Sequence, residues 1–312
     1  MAAQIAQPSA VEATYKLREA EGVLDLYFYR KIGFHLARFF SGLGVTPVGV
    51  TLLGGLFGIV AGHLYYYRDL RINIVGIALH ILANAFDNAD GQLARMTGKG
   101  SREGRIIDSL VDHLIFVSVY VHLTLRCLAE GASPAVFLLA LAAAASHGLQ
   151  GAAADYFRNG FLYFANGRSS AQLDSAVDLR RDYRALEWRD QPLRKFLLLL
   201  CLNFTRQQEA LIPALNRLRS AIDRQSPNEI PEWLKRSYRE RARPMFKWWG
   251  FLMANTRMIM LFILLLIDQP IWFFWLQLTV FNLLFIVLLL HQNRMLQSFL
   301  RTAIRQPVEL AC

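Results

Sequence analysis

The 312-residue sequence predicts an all-α, polytopic membrane protein with six transmembrane helices, an N-terminal interfacial amphipathic helix and a helical cytoplasmic insert. Three observations predict it. Apolar residues make up 54% of the chain while charged residues still reach 19%, so the two classes must be segregated along it. Six stretches approach the ~20 apolar residues that cross a ~30 Å hydrocarbon core. No segment shows the alternation of a closed membrane barrel. The formal charge of +10 would point to nucleic acid in a soluble protein. With long apolar runs present it points instead to loops facing anionic lipid, and no nucleic-acid partner is expected.

Residues 1–43 are read as a tail and an interfacial helix. The first 22 residues lack a basic start followed by an apolar core, so they are not expected to be a cleavable signal peptide. Residues 22–43 mix aromatics with Arg30, Lys31, His35 and Arg38, the pattern of an amphipathic helix on the membrane surface; an ordinary packed helix is the alternative. A core of four spans is placed at 44–158, with the first span near 47–66, the second starting near Ile72, the third near Arg105 and the fourth near 135–157. Residues 159–245 form a polar, arginine-rich insert whose one apolar run, Phe196 to Leu202, is too short to span. Spans five and six, near 246–267 and 270–290, fall within 246–293, and a cytoplasmic tail follows at 294–312. Cys127, Cys201 and Cys312 are far apart and form no CxxC pair, which indicates neither zinc nor a disulfide framework.

The segment between spans two and three holds Arg95, Lys99, Arg102 and Arg105, and the tail holds Arg294, Arg301 and Arg305. The opposite loops are poorer in cations: Arg68 with Arg71, Arg126 with Glu130, and Asp268. The positive-inside bias puts both termini and the acidic segment on the cytoplasmic side, most simply of the cell (inner) membrane.

The chemistry concentrates in residues 84–113. Asp87 and Asp90 are three apart at the end of span two, and Asp108 and Asp112 four apart at the start of span three. On helices both spacings put the two carboxylates on one face. The short connection makes the helices antiparallel neighbours, so all four carboxylates can converge. Asp87 lies ~22 Å along its span at 1.5 Å per residue, where ionisable groups are expensive and usually functional. Carboxylates ~6 Å apart repel by roughly 3 kcal/mol per pair at an effective dielectric of 20. Protons or cations relieve this, and two divalent ions would cancel four charges. An all-oxygen set selects Mg²⁺ or Mn²⁺ over zinc, and ligand type alone leaves Ca²⁺ open. Gly91 and Ala94 leave room for a bulky ligand, and Arg95 can reach the same face, where an anionic phosphate would fit. From spacing alone three uses stay open: catalysis, an ion or proton pathway, and structural pairing with Arg95, Arg102 and Arg105.

Asp87-x-x-Asp90-Gly91-x-x-Ala94-Arg95, eight residues, then Gly104-x-x-x-Asp108-x-x-x-Asp112 resembles the full signature of the CDP-alcohol phosphotransferase family. The resemblance covers roughly residues 44–160. It implies a six-span transferase that moves a phosphatidyl or phosphoalcohol group from a CDP-linked donor to an alcohol acceptor with release of CMP. It also implies a cytoplasm-facing cavity, a homodimer and two metal ions. By matching position, Asp87, Asp90, Asp108 and Asp112 would ligate the metals and Asp112 would be the general base. Gly91, Arg95, Ser101 and Thr51 would contact the donor, although Val48 stands where such enzymes often carry Asn or Asp. Arg158 falls where relatives carry a basic residue that binds an acceptor phosphate, with an interfacial snorkelling arginine as the alternative. His113 replaces a frequent Arg and is expected to pack or to make a local hydrogen bond, the alternative being that it orients Asp112; His147 is expected to pack. The competing reading is a transporter or inactive binding protein on the same fold.

Overall fold

The computed structural model describes residues 22, 24–168 and 173–305. The N-terminal tail up to residue 21, and residues 306–312 with Cys312, lie outside them. The described residues are helical, with no strand among them. Among the described residues, six helical stretches are long and apolar enough to cross a membrane. Their outward residues, such as Leu52, Leu56 and Ile59, or Leu114, Val117 and Val121, are apolar and exposed. Such continuous stripes mark lipid-facing surface rather than contact with water. This is a multi-pass membrane protein.

The chain divides into two units. The first runs to Ala140 and takes in Phe262–Ile271. It opens with a π turn, Asp25–Tyr29, that leads into α1, Arg30–Gly42. Gly33, Phe34, Ala37 and Phe40 recur at helical spacing on the buried face of α1. Behind them stands α3, Leu70–Thr97. A Cβ on Gly33 would lie 3.1 Å from the Ala89 nitrogen, so the glycine is what lets the two backbones meet. Gln92 Nε2 then donates to the Arg30 carbonyl at 3.0 Å. The first helix is therefore packed on one side, while Tyr27, Phe39 and Leu43 stay exposed on the other.

The first span, α2, is Pro47–Leu64, started by Pro47 and by Thr46, whose hydroxyl accepts from Gly49 N–H at 3.1 Å. Gly55, Gly58 and Gly62 line its face towards Val111, Ile115 and Ser118 of α4, Arg102–Ala129. Any Cβ there would come within 2.5 Å of those side chains, so this small-residue stripe sets how closely the two helices pack. α3 stops at Gly98, which adopts φ 65°, and Ser101 caps α4 by accepting from Gly104 N–H at 2.9 Å. The short connection sets the first turns of α4 beside the end of α3; beyond it, contrary to the expectation of neighbouring helices, both pack against α2 rather than along one another.

The second unit comprises Leu141–Leu261 and the chain from Trp272 onwards. α5, Val136–Asn166, runs past the expected end of the fourth span near 157. No proline intervenes before Gly167, at φ 100°, and Gly160 is held within the helix. Its polar residues Arg158 and Asn159 each donate to Asp155 about one turn back. The insert folds as α6, Ala176–Ala185, α7, Pro192–Leu211, α8, Pro213–Gln225, and α9, Glu232–Ala242. The apolar run at Phe196 to Leu202 lies within α7 and buries Leu197, Leu198 and Leu202, as a packed helix should.

The fifth span is longer and more broken than expected. α9 passes through a 3₁₀ turn at Arg243–Met245, containing Pro244, into α10, Phe246–Phe251, and then α11, Ala254–Leu266. The sixth is α12, Ile271–Leu276, a π turn at Gln277–Phe281, and α13, Asn282–Arg305. Inside the second unit, Arg257 is buried and donates to Gln150 Oε1 at 2.6 Å and Gln277 Oε1 at 3.3 Å. These amides satisfy a cation that lipid could not.

Candidate metal and phosphate site

Asp87 and Asp90 project from one face of α3, and Asp108 comes from the first turns of α4. One carboxylate oxygen from each of these three residues lies within 4.8 Å of the other two. Asp90 is buried, Asp108 half-buried and Asp87 exposed, so the cluster has a closed floor and an open mouth. Asp87 and Asp108 are within hydrogen-bond reach of each other. Asp112, one turn further along α4, is exposed and stands outside this trio, yet close enough to interact electrostatically with Asp87 and Asp90.

The geometry explains why the trio holds its shape. Thr51, buried on α2, donates its hydroxyl to Asp90 Oδ2 at 2.5 Å, and the Pro47 carbonyl lies 3.1 Å from the Thr51 hydroxyl oxygen. α2 is thereby tied to the α3 carboxylate. This contact was invisible to motif reasoning, which placed Thr51 beside the donor; the only clue was a buried hydroxyl on the small-residue face of α2. Thr51→Val, which keeps the shape and removes the hydroxyl, is expected to lower metal affinity or turnover by about 10–100-fold. A Mg²⁺ titration of CMP release checks this, and an unchanged midpoint and rate would reject it.

The other predicted residues fall as follows. Gly91 lies under the Arg95 guanidinium: a Cβ there would stand 3.4 Å from Arg95 Nη1. Arg95 itself is exposed on the motif helix. Ser101 is the N-cap of α4, and the side chain of Val48 approaches the same turn at Gly104. His113 Nδ1 donates to the Ser109 carbonyl at 2.6 Å, a local hydrogen bond of the kind expected. Arg158 belongs to the second unit, where it pairs with Asp155 at 2.8 Å. That carboxylate also accepts from Asn159 and from Gln208 of α7.

Three carboxylates this close need a counter-charge. Oxygens sharing one octahedral Mg²⁺ or Mn²⁺ sit about 3–4 Å apart, so the trio fits a hard divalent cation. Nitrogen and sulfur donors are absent from it, which disfavours zinc.

Residues 44–159 match the family model for CDP-alcohol phosphatidyltransferase. The segment is a CDP-alcohol phosphatidyltransferase domain. It contains the aspartate trio, Asp112, Thr51, Gly91, Arg95 and Ser101. The chain is 37% identical over 79 residues to an archaetidylinositol phosphate synthase of Pyrococcus horikoshii, covering 25% of this chain and 40% of that protein. It is 34% identical over 89 residues to a phosphatidylinositol phosphate synthase of Streptomyces avermitilis, covering 28% of this chain and 35% of that protein. The matched part spans well under half of each relative. Within the phosphatidyltransferase domain, divalent metal use is a family property, and the acidic cluster is where the fold offers a place for it.

Proposed function

We propose that the protein transfers a phosphatidyl or related phosphoalcohol group from a CDP-alcohol, first of all CDP-diacylglycerol, to an acceptor hydroxyl, releasing CMP at the cytoplasmic face of the cell membrane. The single observation that carries this reading is the convergence of Asp87, Asp90 and Asp108 within 4.8 Å inside the phosphatidyltransferase domain. Asp87, Asp90, Asp108 and Asp112 would hold two divalent ions, Mg²⁺ or Mn²⁺. When bound, these supply charge neutralisation at the donor pyrophosphate.

The remaining work falls to the chain's own residues. Thr51 fixes Asp90, and Gly91 leaves the space in which Arg95 can meet a donor phosphate. Ser101 closes the turn beside them. Asp112, exposed one turn from the trio, accepts the proton of the acceptor hydroxyl. The acceptor oxygen forms a bond to the phosphorus distal to cytidine as the bond from that phosphorus to the CMP oxygen breaks, and CMP carries away the electron pair. Positioning and electrostatics supply most of the acceleration.

Both relatives are named as makers of inositol-phosphate lipids, so a phosphorylated polyol is the first acceptor to test. Arg158 is proposed to contact its phosphate. One donor of its five N–H groups goes to Asp155, which leaves donors over. A homodimer is the proposed assembly.

The test uses purified full-length protein with CDP-diacylglycerol and inositol phosphate. Release of CMP and formation of a new phospholipid, both stopped by EDTA and restored by Mg²⁺, are expected. No metal-dependent CMP release from any CDP-alcohol would reject the reading and favour transport or binding.

A further inference from the structure

Within the insert, α6 and α7 form a hairpin with its own small core, Ala176 and Leu179 against Leu198 and Leu202. Lys195 clamps the turn between them. Its ammonium lies 4.8 Å from the Tyr183 ring centroid and 5.6 Å from that of Trp188, and it donates to the Leu186 carbonyl at 2.6 Å. The hairpin is thus a fixed platform rather than a loose loop.

A cavity of about 310 Å³ opens on this platform, lined by Arg180, Tyr183, Arg184, Leu199, Leu202 and Arg206. Arg180 and Arg184 stand one turn apart on α6, and Arg206 comes from α7. None of the three forms an ion pair or hydrogen bond among the described residues. Arg181, between them in sequence, points elsewhere and pairs with Asp178 at 3.4 Å. Three guanidiniums around one concavity repel one another and match the fork geometry of a phosphate.

The surroundings decide the source of that phosphate. The cavity floor is apolar, formed by Leu199 and Leu202. Val177, Trp188, Leu193 and Phe196 on the same hairpin are exposed. Membrane-spanning stretches precede and follow the hairpin in the chain. Exposed aromatic and aliphatic side chains beside arginines, on a hairpin tethered to the bilayer, are the features of an element lying in the headgroup layer. We propose that the α6–α7 hairpin is a docking site for an anionic phospholipid, with Arg180, Arg184 and Arg206 holding the headgroup phosphate and Trp188, Leu193 and Phe196 entering the acyl boundary.

The test measures lipid binding, not turnover, so it stands whether or not CMP release is found. Full-length protein in neutral detergent is titrated with short-chain phosphatidylglycerol, short-chain phosphatidylcholine and glycerol phosphate, and bound species are counted by native mass spectrometry. Wild type is expected to prefer phosphatidylglycerol to phosphatidylcholine by at least about tenfold. The triple change Arg180→Gln, Arg184→Gln, Arg206→Gln is expected to erase that preference, and Arg181→Gln to keep it. Equal phosphatidylglycerol affinity in wild type and the triple variant overturns the site. Glycerol phosphate bound as tightly as the lipid, and lost in the triple variant, overturns the lipid assignment in favour of a soluble phosphate. Wild-type binding is also read at low and high salt. A preference that persists undiminished at high salt would overturn the arginine mechanism independently of the variants.

Discussion

Asp108→Asn is expected to abolish transfer while making the metal-free protein more heat-stable than wild type. Three carboxylates within 4.8 Å either repel or take up protons when no cation is bound. One pair at that separation costs about 3.5 kcal/mol at an effective dielectric of 20. The amide keeps the shape and removes one charge, so the thermal midpoint in EDTA should rise by a few degrees. Added Mg²⁺ should raise the wild-type midpoint and leave the variant nearly unmoved, since stabilisation by a ligand follows its affinity. CMP release should fall by about 10³-fold or more, the scale of removing a group that stabilises transition-state charge. Scanning calorimetry with and without Mg²⁺, paired with a CMP assay, reads both halves. A variant less stable than wild type in EDTA would mean instead that the carboxylates serve structural ion pairs.

The second large effect is expected at the other end of the first unit. Arg126 on α4 is 1% exposed and donates to Tyr65 O and Asn73 Oδ1 at 3.3 Å, to Glu130 at 2.9 Å and to Asp268 at 2.6 Å. Arg68 closes the far side of Asp268 at 2.9 Å. Asp268 holds a left-handed φ of 56°, which a short polar side chain tolerates when it is anchored. Arg126→Ala would leave two carboxylates and two polar groups without this donor, a loss of about 3 kcal/mol because the carboxylates keep partial access to solvent. Burial pushes the Asp268 carboxyl up, but hydrogen bonds from Arg68 and Arg126 outweigh it and hold the group below the usual carboxylate range. A lowered folded pKa stabilises above the unfolded value and ceases to as pH falls through the folded one. The gap between wild type and Arg126→Ala should therefore be full near neutrality and narrow below about pH 4. Thermal midpoints measured from pH 7 to pH 3 check this, and a gap that does not depend on pH would contradict it.

Much of the first unit was legible because its signals are local. The spacings of Asp87 with Asp90 and of Asp108 with Asp112 are each written within about one turn of sequence, whereas the cap that Ser101 puts on α4 went unread. What escaped depends on contacts between distant residues. Thr51 and Asp90 are 39 positions apart, and Arg126 and Asp268 are 142 apart. Arg126 read as an ordinary loop charge because nothing nearby reveals that its side chain turns inward. α5 outran its predicted end because its polar residues find partners within the helix and on α7, which hydropathy cannot register. The π turn at Gln277–Phe281 has no proline or glycine to announce it.

The proposed reaction requires that α3 and α4 bring their carboxylates together to hold divalent metal. Electron paramagnetic resonance of Mn²⁺ bound to purified protein, with CDP-diacylglycerol present, measures this most directly. Two spin-coupled ions per chain are expected in wild type, with that signal lost in Asp108→Asn. Wild-type protein that leaves all its Mn²⁺ free in solution would contradict the account.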